Sequence, residues 1–329
     1  MRALGNTGIS VNEIGLGGIP IQRVDKKTVK QMITVMVEKG MNFIDTARGY
    51  TISEELIGEG LEDDRDKFVI ATKSMNRTYD GLKEDIQISL KNLKTEYIDL
   101  YQLHNVQIHE DLSGAVKALK EAKQKGIIRH IGLTTHSLEV LKREIELNRF
   151  ETLQFPYNVV ETQAELFFEE AHKKGIGIIV MKPLAGGAIT QADLALKYIL
   201  NNNFVSVVIP GMESPQQVSQ NSKVKAGKYT EEEERFIKEI KQSLNNDFCR
   251  RCGYCQPCPV GINIPLMFLC EGYYLRYNLK EWALSRYNSM KVLPSQCVKC
   301  GKCEQRCPYK LQIREKIEKI VNLMEGKNE

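Results

Sequence analysis

The chain has 329 residues, of which 42% are hydrophobic and 27% charged, with 46 Lys and Arg against 42 Asp and Glu. That composition belongs to a folded globular protein and excludes a disordered one, and a net charge of +4 spread along the chain argues against nucleic acid or an anionic membrane surface as partner. No stretch approaches the roughly 20 apolar residues of a membrane-spanning helix, and the start, "MRALGNTGIS", has no apolar run after a basic one, so the chain reads as cytoplasmic.

In chain order, "RALGNTGISVNEI" comes first and reads as a hairpin about Gly-Asn-Thr-Gly, placed to close the bottom of a barrel. Eight short apolar runs then alternate with helical patterns: "EIGLGG" (13–18), "NFIDTA" (42–47), "FVIATK" (68–73), "IDLYQLH" (98–104), "RHIGLTT" (129–135), "TLQFPY" (152–157), "IGIIVMK" (176–182) and "VSVVIPG" (205–211). Between the first two, Val29, Met32, Ile33 and Met36 have helical spacing, and Gly40 stands as the stop. Alternation of this kind predicts parallel strands with crossover helices, and eight such units predict an α/β fold of the (β/α)8 TIM barrel type. An open doubly wound sheet is the weaker reading, because "GLGGIP" after the first strand lacks the G-x-G-x-x-G phosphate turn.

A helix opening on a threonine cap and an acidic first turn, "TEEEERFIKEIKQSL" (230–244), links the barrel to a tail. All nine cysteines lie at or beyond Cys249, which divides the chain into a barrel of residues 1–245 and a cysteine-rich domain of 246–329. In a reducing compartment such density reads as metal ligation rather than disulfides.

The active site of this barrel type is built at the C-terminal strand ends. There the sequence offers Asp45 and, five residues on, Tyr50, then Lys73 and His104 from the next two strands. A tyrosine titrates near 10, too high for efficient proton donation at neutral pH, but a neighbouring ammonium favours the phenolate. Lys73 supplies that charge, Asp45 holds Lys73, and His104 orients a carbonyl by a hydrogen bond, leaving Tyr50 as general acid or base. Arg48 lies between Asp45 and Tyr50 and reads as a structural ion-pair partner before a substrate one. His109, His130, His136 and His172 have no ligand-like spacing.

Those four residues, with "GLTTHS", "QFPYN" and "VVIPGM", resemble the aldo-keto reductase family over about residues 1 to 225. The resemblance implies a barrel that reduces a carbonyl or oxidises an alcohol by hydride exchange with NADH or NADPH, with Tyr50 moving the proton. It also implies that Thr134 and Thr135, where the family has Ser-Asn, grip the nicotinamide carboxamide with Gln154. Met181 then stands in place of the family's stacking aromatic, with Lys182 next to it. Gly186 and Gly187 suit a loop at the pyrophosphate. Gly211, Gln217 and Asn221 fall near the adenosine end, where Glu213 and Gln217 offer no cation for a 2'-phosphate, so NADH is expected over NADPH.

In the tail, Cys297, Cys300, Cys303 and Cys307, followed by Pro308, fit C-x2-C-x2-C-x3-C-P, the bacterial ferredoxin run in which the fourth cysteine serves the other cluster. Cys249, Cys252, Cys255 and Cys258 with Pro259 repeat it one residue shorter. The expected 4Fe-4S ligand sets are therefore crosswise: Cys249, Cys252, Cys255 and Cys307 for one cluster, Cys297, Cys300, Cys303 and Cys258 for the other. Zinc is the competing metal, but it needs only paired C-x2-C units. Between the runs a helical pattern around Cys270 predicts a small, mainly helical ferredoxin-like two-cluster domain, with Cys270 in its core. Hydride carries two electrons and a cluster one, so either a flavin, for which no motif is present, or a one-electron substrate is involved, or an external electron-transfer protein accepts the electrons, or the clusters are structural. The alternative is a redox-sensing or electron-transfer partner protein that uses the barrel as a platform.

Overall fold

The computed structural model describes residues 1–244, 248–251 and 253–326. It separates into two compact units, Met1–Pro183 with Gln191–Lys228, and Leu184–Thr190 with Tyr229–Glu329. The boundary expected at 245/246 lies outside the described residues.

In the first unit β1 (Arg2–Ala3) and β2 (Ser10–Val11) pair antiparallel. Strands and helices then alternate as β3 (Leu16–Gly17), α1 (Lys26–Glu38), β4 (Phe43–Asp45), α2 (Ser53–Leu61), β5 (Val69–Ser74), α3 (Tyr79–Leu93), β6 (Ile98–Leu103) and α4 (Ser113–Gln124). The series continues through β7 (Ile128–Thr134), α5 (Leu138–Leu147), β8 (Thr152–Pro156), α6 (Glu165–Lys173), β9 (Gly177–Met181), α7 (Ala192–Leu200), β10 (Val205–Val208) and α8 (Pro215–Asn221). Each expected strand overlaps one of β3 to β10, and these eight form a single parallel sheet in chain order.

The sheet closes on itself. Gly15 N donates to Val208 O at 2.9 Å and Gly17 N to Pro210 O at 2.8 Å, which ties β3 to β10. Glycine is required for that approach, since a Cβ on Gly17 would lie 2.8 Å from the Ile209 carbonyl oxygen.

Side chains alternate between the two faces of each strand. Outward ones such as Ile44, Ile70, Tyr101, Leu133 and Leu153 join α1 residues Val29, Met32, Ile33 and Met36 in the main apolar cluster. Inward ones, Phe43, Ala71, Leu100, Ile179, Val207 and Ile209, cluster with Leu4 and Val11 of the hairpin, which plugs the N-terminal end of the barrel as expected. Both faces of the strands are therefore buried, which is why they read as near-continuous apolar runs. One inward position further along, Phe43 is succeeded by Asp45, Ala71 by Lys73 and Leu100 by Gln102, so the interior turns polar at the C-terminal ends.

In the second unit, α9 (Glu231–Leu244) begins with a reciprocal cap: Glu233 N donates to Thr230 Oγ1 at 3.2 Å and Thr230 N to Glu233 Oε2 at 2.8 Å. Then come α10 (Ile264–Leu275), α11 (Lys280–Asn288), α12 (Lys302–Arg306) and α13 (Ile313–Glu325). Their core holds Ile262, Met267, Phe268, Tyr287, Ile317 and Ile320 together with Cys270, whose thiol is pushed up to about 11 by burial. Cys270 is thus a core side chain, as its surroundings in the sequence suggested. Among the described residues no helix is long and apolar enough to cross a membrane.

Candidate active site and cysteine recesses

Lys73, on β5, is fully buried, and its Nζ donates to Asp45 Oδ1 at 2.7 Å and to Thr46 O at 2.6 Å. Burial works against both charges. It moves the Asp45 carboxyl above its ordinary range and the Lys73 ammonium below its own, while their mutual attraction opposes each shift.

Tyr50 stands on the turn after β4, where its N–H donates to Ala47 O at 3.0 Å, and it is 8% exposed. Lys73 Nζ lies 4.9 Å from the centroid of the Tyr50 ring. His104, just past β6, meets that ring edge-on with centroids 5.7 Å apart, and is held by its own N–H to Ser74 O at 2.8 Å and by Arg77, which donates to His104 O at 2.8 Å. All four residues read from the strand ends therefore come together in one cluster. Arg48 does not join them: it pairs with buried Glu54 at 3.0 Å and reaches Asp85 at 3.6 Å, an outward structural role.

Gln102 was missed by the sequence reading. It is fully buried on β6, and its Nε2 donates toward Asp45 Oδ2 at 3.4 Å. Its position two residues before His104, on the same inward face, is the signal that could have found it.

Gln154 on β8 is buried and also hydrogen-bonds Asp45, leaving its Oε1 without a partner among the described residues. An orphaned buried acceptor at a strand end suits the amide of a nicotinamide carboxamide. The two threonines are differently engaged. Thr134 Oγ1 accepts from Asn105 N at 2.7 Å, and Thr135 Oγ1 donates to Val106 O at 2.8 Å and accepts from Ser137 N at 3.0 Å. Both hold loops, and Thr134 keeps its own O–H to give. Met181 is half-buried and packs on the inner cluster, while Lys182, in the left-handed region at φ 57°, accepts through its carbonyl from Asn158 Nδ2 at 3.0 Å.

Gly186 and Gly187 belong to the second compact unit, where Arg276 Nε donates to Gly186 O at 2.9 Å. Gly211 bridges to Gly17, Gln217 Oε1 accepts from Glu213 N at 2.8 Å, and Asn221 is buried at the end of α8. Glu213 in turn pairs with Arg23 at 2.6 Å. Arg23 comes from the turn after β3, too distant in sequence to have been noticed, and its guanidinium is engaged by the Glu213 carboxylate.

Two recesses in the second unit are lined by cysteines. Cys249, Cys255 and Cys307 line one, beside Pro308 and Tyr309. Cys258, Cys297, Cys300 and Cys303 line the other, beside Pro259 and Ile317. Cys252 lies outside the described residues. Each recess thus takes its last cysteine from the opposite run, and thiols are the donor set of an iron-sulfur cluster, although among the described residues no group of three is placed to grip a metal ion by itself.

The 4Fe-4S dicluster domain model matches residues 245–311, and the Aldo/keto reductase family model matches residues 13–194. Among curated relatives, the uncharacterized oxidoreductase YqkF of Bacillus subtilis is 28% identical over 221 residues, covering 62% of this chain and 72% of its own. L-galactose dehydrogenase of Arabidopsis thaliana is 26% identical over 275 residues, covering 67% of this chain and 86% of its own. The holo form of an aldo-keto reductase from Bacillus halodurans superposes with a TM-score of 0.66 at 26% identity, over 73% of this chain and 95% of that one. With a closed eight-stranded barrel, a polar cluster at its strand ends and a family match over more than half its length, the chain belongs to the aldo/keto reductase family of oxidoreductases and carries a 4Fe-4S dicluster domain at its C-terminal end.

Proposed function

We propose that the barrel interconverts a small carbonyl compound and its alcohol with NADH or NADPH, and that the cysteine-rich domain passes electrons to or from a separate electron-transfer protein in the cytoplasm. The observation that carries the first part is the buried Lys73 ammonium 4.9 Å from the Tyr50 ring.

When bound, the nicotinamide supplies or takes up hydride at the carbonyl carbon. The remaining work falls to the chain. In reduction the Tyr50 hydroxyl gives its proton to the carbonyl oxygen, and in oxidation the phenolate takes it back. Lys73 stabilises the phenolate in both directions, and it keeps its charge because Asp45 accepts from it. The His104 ring, set edge-on to Tyr50, orients the carbonyl by a hydrogen bond. Gln154 offers its open Oε1 to the carboxamide, and Met181 offers a soft apolar contact beside it.

For the clusters we assign Cys249, Cys252, Cys255 and Cys307 to one and Cys258, Cys297, Cys300 and Cys303 to the other, a crosswise sharing that the lining of the two recesses supports. When bound, each cluster holds one electron at a time.

The test is anaerobic. Purified holoprotein is mixed with NADH or NADPH and a small aldehyde, and nicotinamide oxidation is followed beside the visible absorbance of the clusters. Aldehyde-dependent oxidation of either nicotinamide supports the barrel chemistry, and cluster bleaching on addition of a reduced one-electron carrier protein such as a ferredoxin or flavodoxin supports the exchange of electrons with a partner. No oxidation with any of a panel of aldehydes and ketones would overturn the first part, and cluster absorbance unchanged by every such reduced carrier the second.

A further inference from the structure

Three oxygens inside the barrel, Gln102 Oε1, Gln154 Oε1 and Thr152 Oγ1, are buried with no hydrogen-bond partner among the described residues. They belong to neighbouring inward positions. A Cβ built on Gly132 would sit 2.2 Å from Thr152 Oγ1 and 3.1 Å from the Gln102 side chain, so glycine there makes room for both. A buried carboxamide with an unsatisfied oxygen is costly.

The other end of Gln102 faces Asp45. We infer that Gln102 is a positioning residue which, through its Nε2 hydrogen bond to Asp45 Oδ2, keeps the Asp45–Lys73 pair ionised and thereby sets the proton affinity of Tyr50. This rests on the reading of Tyr50 as the acid and base given above.

The groups facing the pair can be named element by element. Lys73 comes from β5, Gln102 from β6 and Gln154 from β8, with Glu54 of α2 acting on Lys73 at longer range. Tyr50 and His104 close the mouth side. Toward β3 the neighbour is Gly18, whose N–H donates to Asp45 O, and it brings no charge. Of the two carboxamides on Asp45, Gln154 is the one with a second task at the cofactor. Gln102 is given no such task, and its side-chain donor goes to Asp45.

The sign follows from the geometry. A donor to a carboxylate favours its ionised form. Without Gln102 the Asp45 carboxylate is less favoured, the proton of Lys73 is held less firmly, and a neutral Lys73 no longer favours the phenolate. The proton on Tyr50 then leaves at higher pH. No other part of the barrel needs to move for this to occur.

The experiment is an NMR titration of the full-length holoprotein isotopically labelled at the tyrosine ζ carbon, with Tyr50→Phe identifying the Tyr50 resonance. Gln102→Met keeps the side-chain length and removes the donor, and it should raise the Tyr50 midpoint by about a few tenths of a pH unit, because the worth of one modest hydrogen bond falls on Asp45 and reaches Tyr50 only through Lys73. If that variant does not fold by circular dichroism, Gln102→Asn draws the donor back from Oδ2 while keeping a carboxamide in the layer, and should give the same upward shift. A Tyr50 midpoint equal to the wild-type value in a folded variant overturns the inference. The underlying reading fails separately: retained aldehyde reduction by Tyr50→Phe would remove Tyr50 from catalysis whatever its midpoint does.

Discussion

Lys73 and Asp45 form an ion pair at 2.7 Å with neither side chain more than 3% exposed, and this pair joins the barrel's apolar interior to its reactive end. Two charges so deeply placed are tolerated only together. Lys73→Met should lower unfolding free energy by about 3–5 kcal/mol, because it leaves a carboxylate buried without its cation. The double variant Asp45→Asn with Lys73→Met should lose less than the sum of the singles, as urea titrations of the four proteins will report. Strictly additive losses would mean that the two residues act independently.

The cysteine assignment predicts how variants group. Cys307→Ser and Cys249→Ser should diminish the same electron paramagnetic resonance signal of the reduced protein, although they lie in different runs and share one recess. Cys258→Ser and Cys297→Ser should diminish the other. A spectrum in which Cys307→Ser matches Cys297→Ser would show ligation within each run instead of across them.

A third prediction concerns acid stability at the junction of β7 and β8. Burial pushes the Glu151 carboxyl up, but bonds from His130 at 2.8 Å, Lys123 at 2.7 Å and the Ile131 N–H at 3.0 Å more than reverse this and hold it at about 2. A carboxyl lowered on folding stabilises the protein above its unfolded value, here 4.5, and that contribution disappears as pH falls toward 2. Glu151→Gln should therefore be less stable than wild type near neutrality, and the gap in urea midpoint should narrow steadily below about pH 5. A gap independent of pH would assign the loss to packing alone.

The barrel was legible because parallel strands buried on both faces leave unbroken apolar runs, and because helices such as α1 show their buried face in Val29, Met32, Ile33 and Met36. Asp45, Tyr50, Lys73 and His104 could be read for a related reason: ionisable residues interrupt those runs at their ends. Gln102 escaped because it carries no charge and sits within a run, where only its inward parity with His104 distinguishes it. Arg23 and the segment 184–190 escaped for another reason. Their placement depends on partners far away in sequence, Glu213 for the first and Arg276 for the loop holding Gly186, and no local pattern encodes such pairs. The doubled cysteine runs lay at the opposite extreme, since their spacing alone carries the pattern of the 4Fe-4S dicluster domain that residues 245–311 match.

Tyr50→Phe is the most direct test of the account. It removes one oxygen from a ring that stays packed between Lys73 and His104, so the fold and the iron content should match wild type. Reduction of a small aldehyde with the preferred nicotinamide should fall by about 100-fold to 10,000-fold, the usual worth of a positioned acid. Activity within a few-fold of wild type in a protein of normal iron content would contradict the central claim that Tyr50 carries the proton.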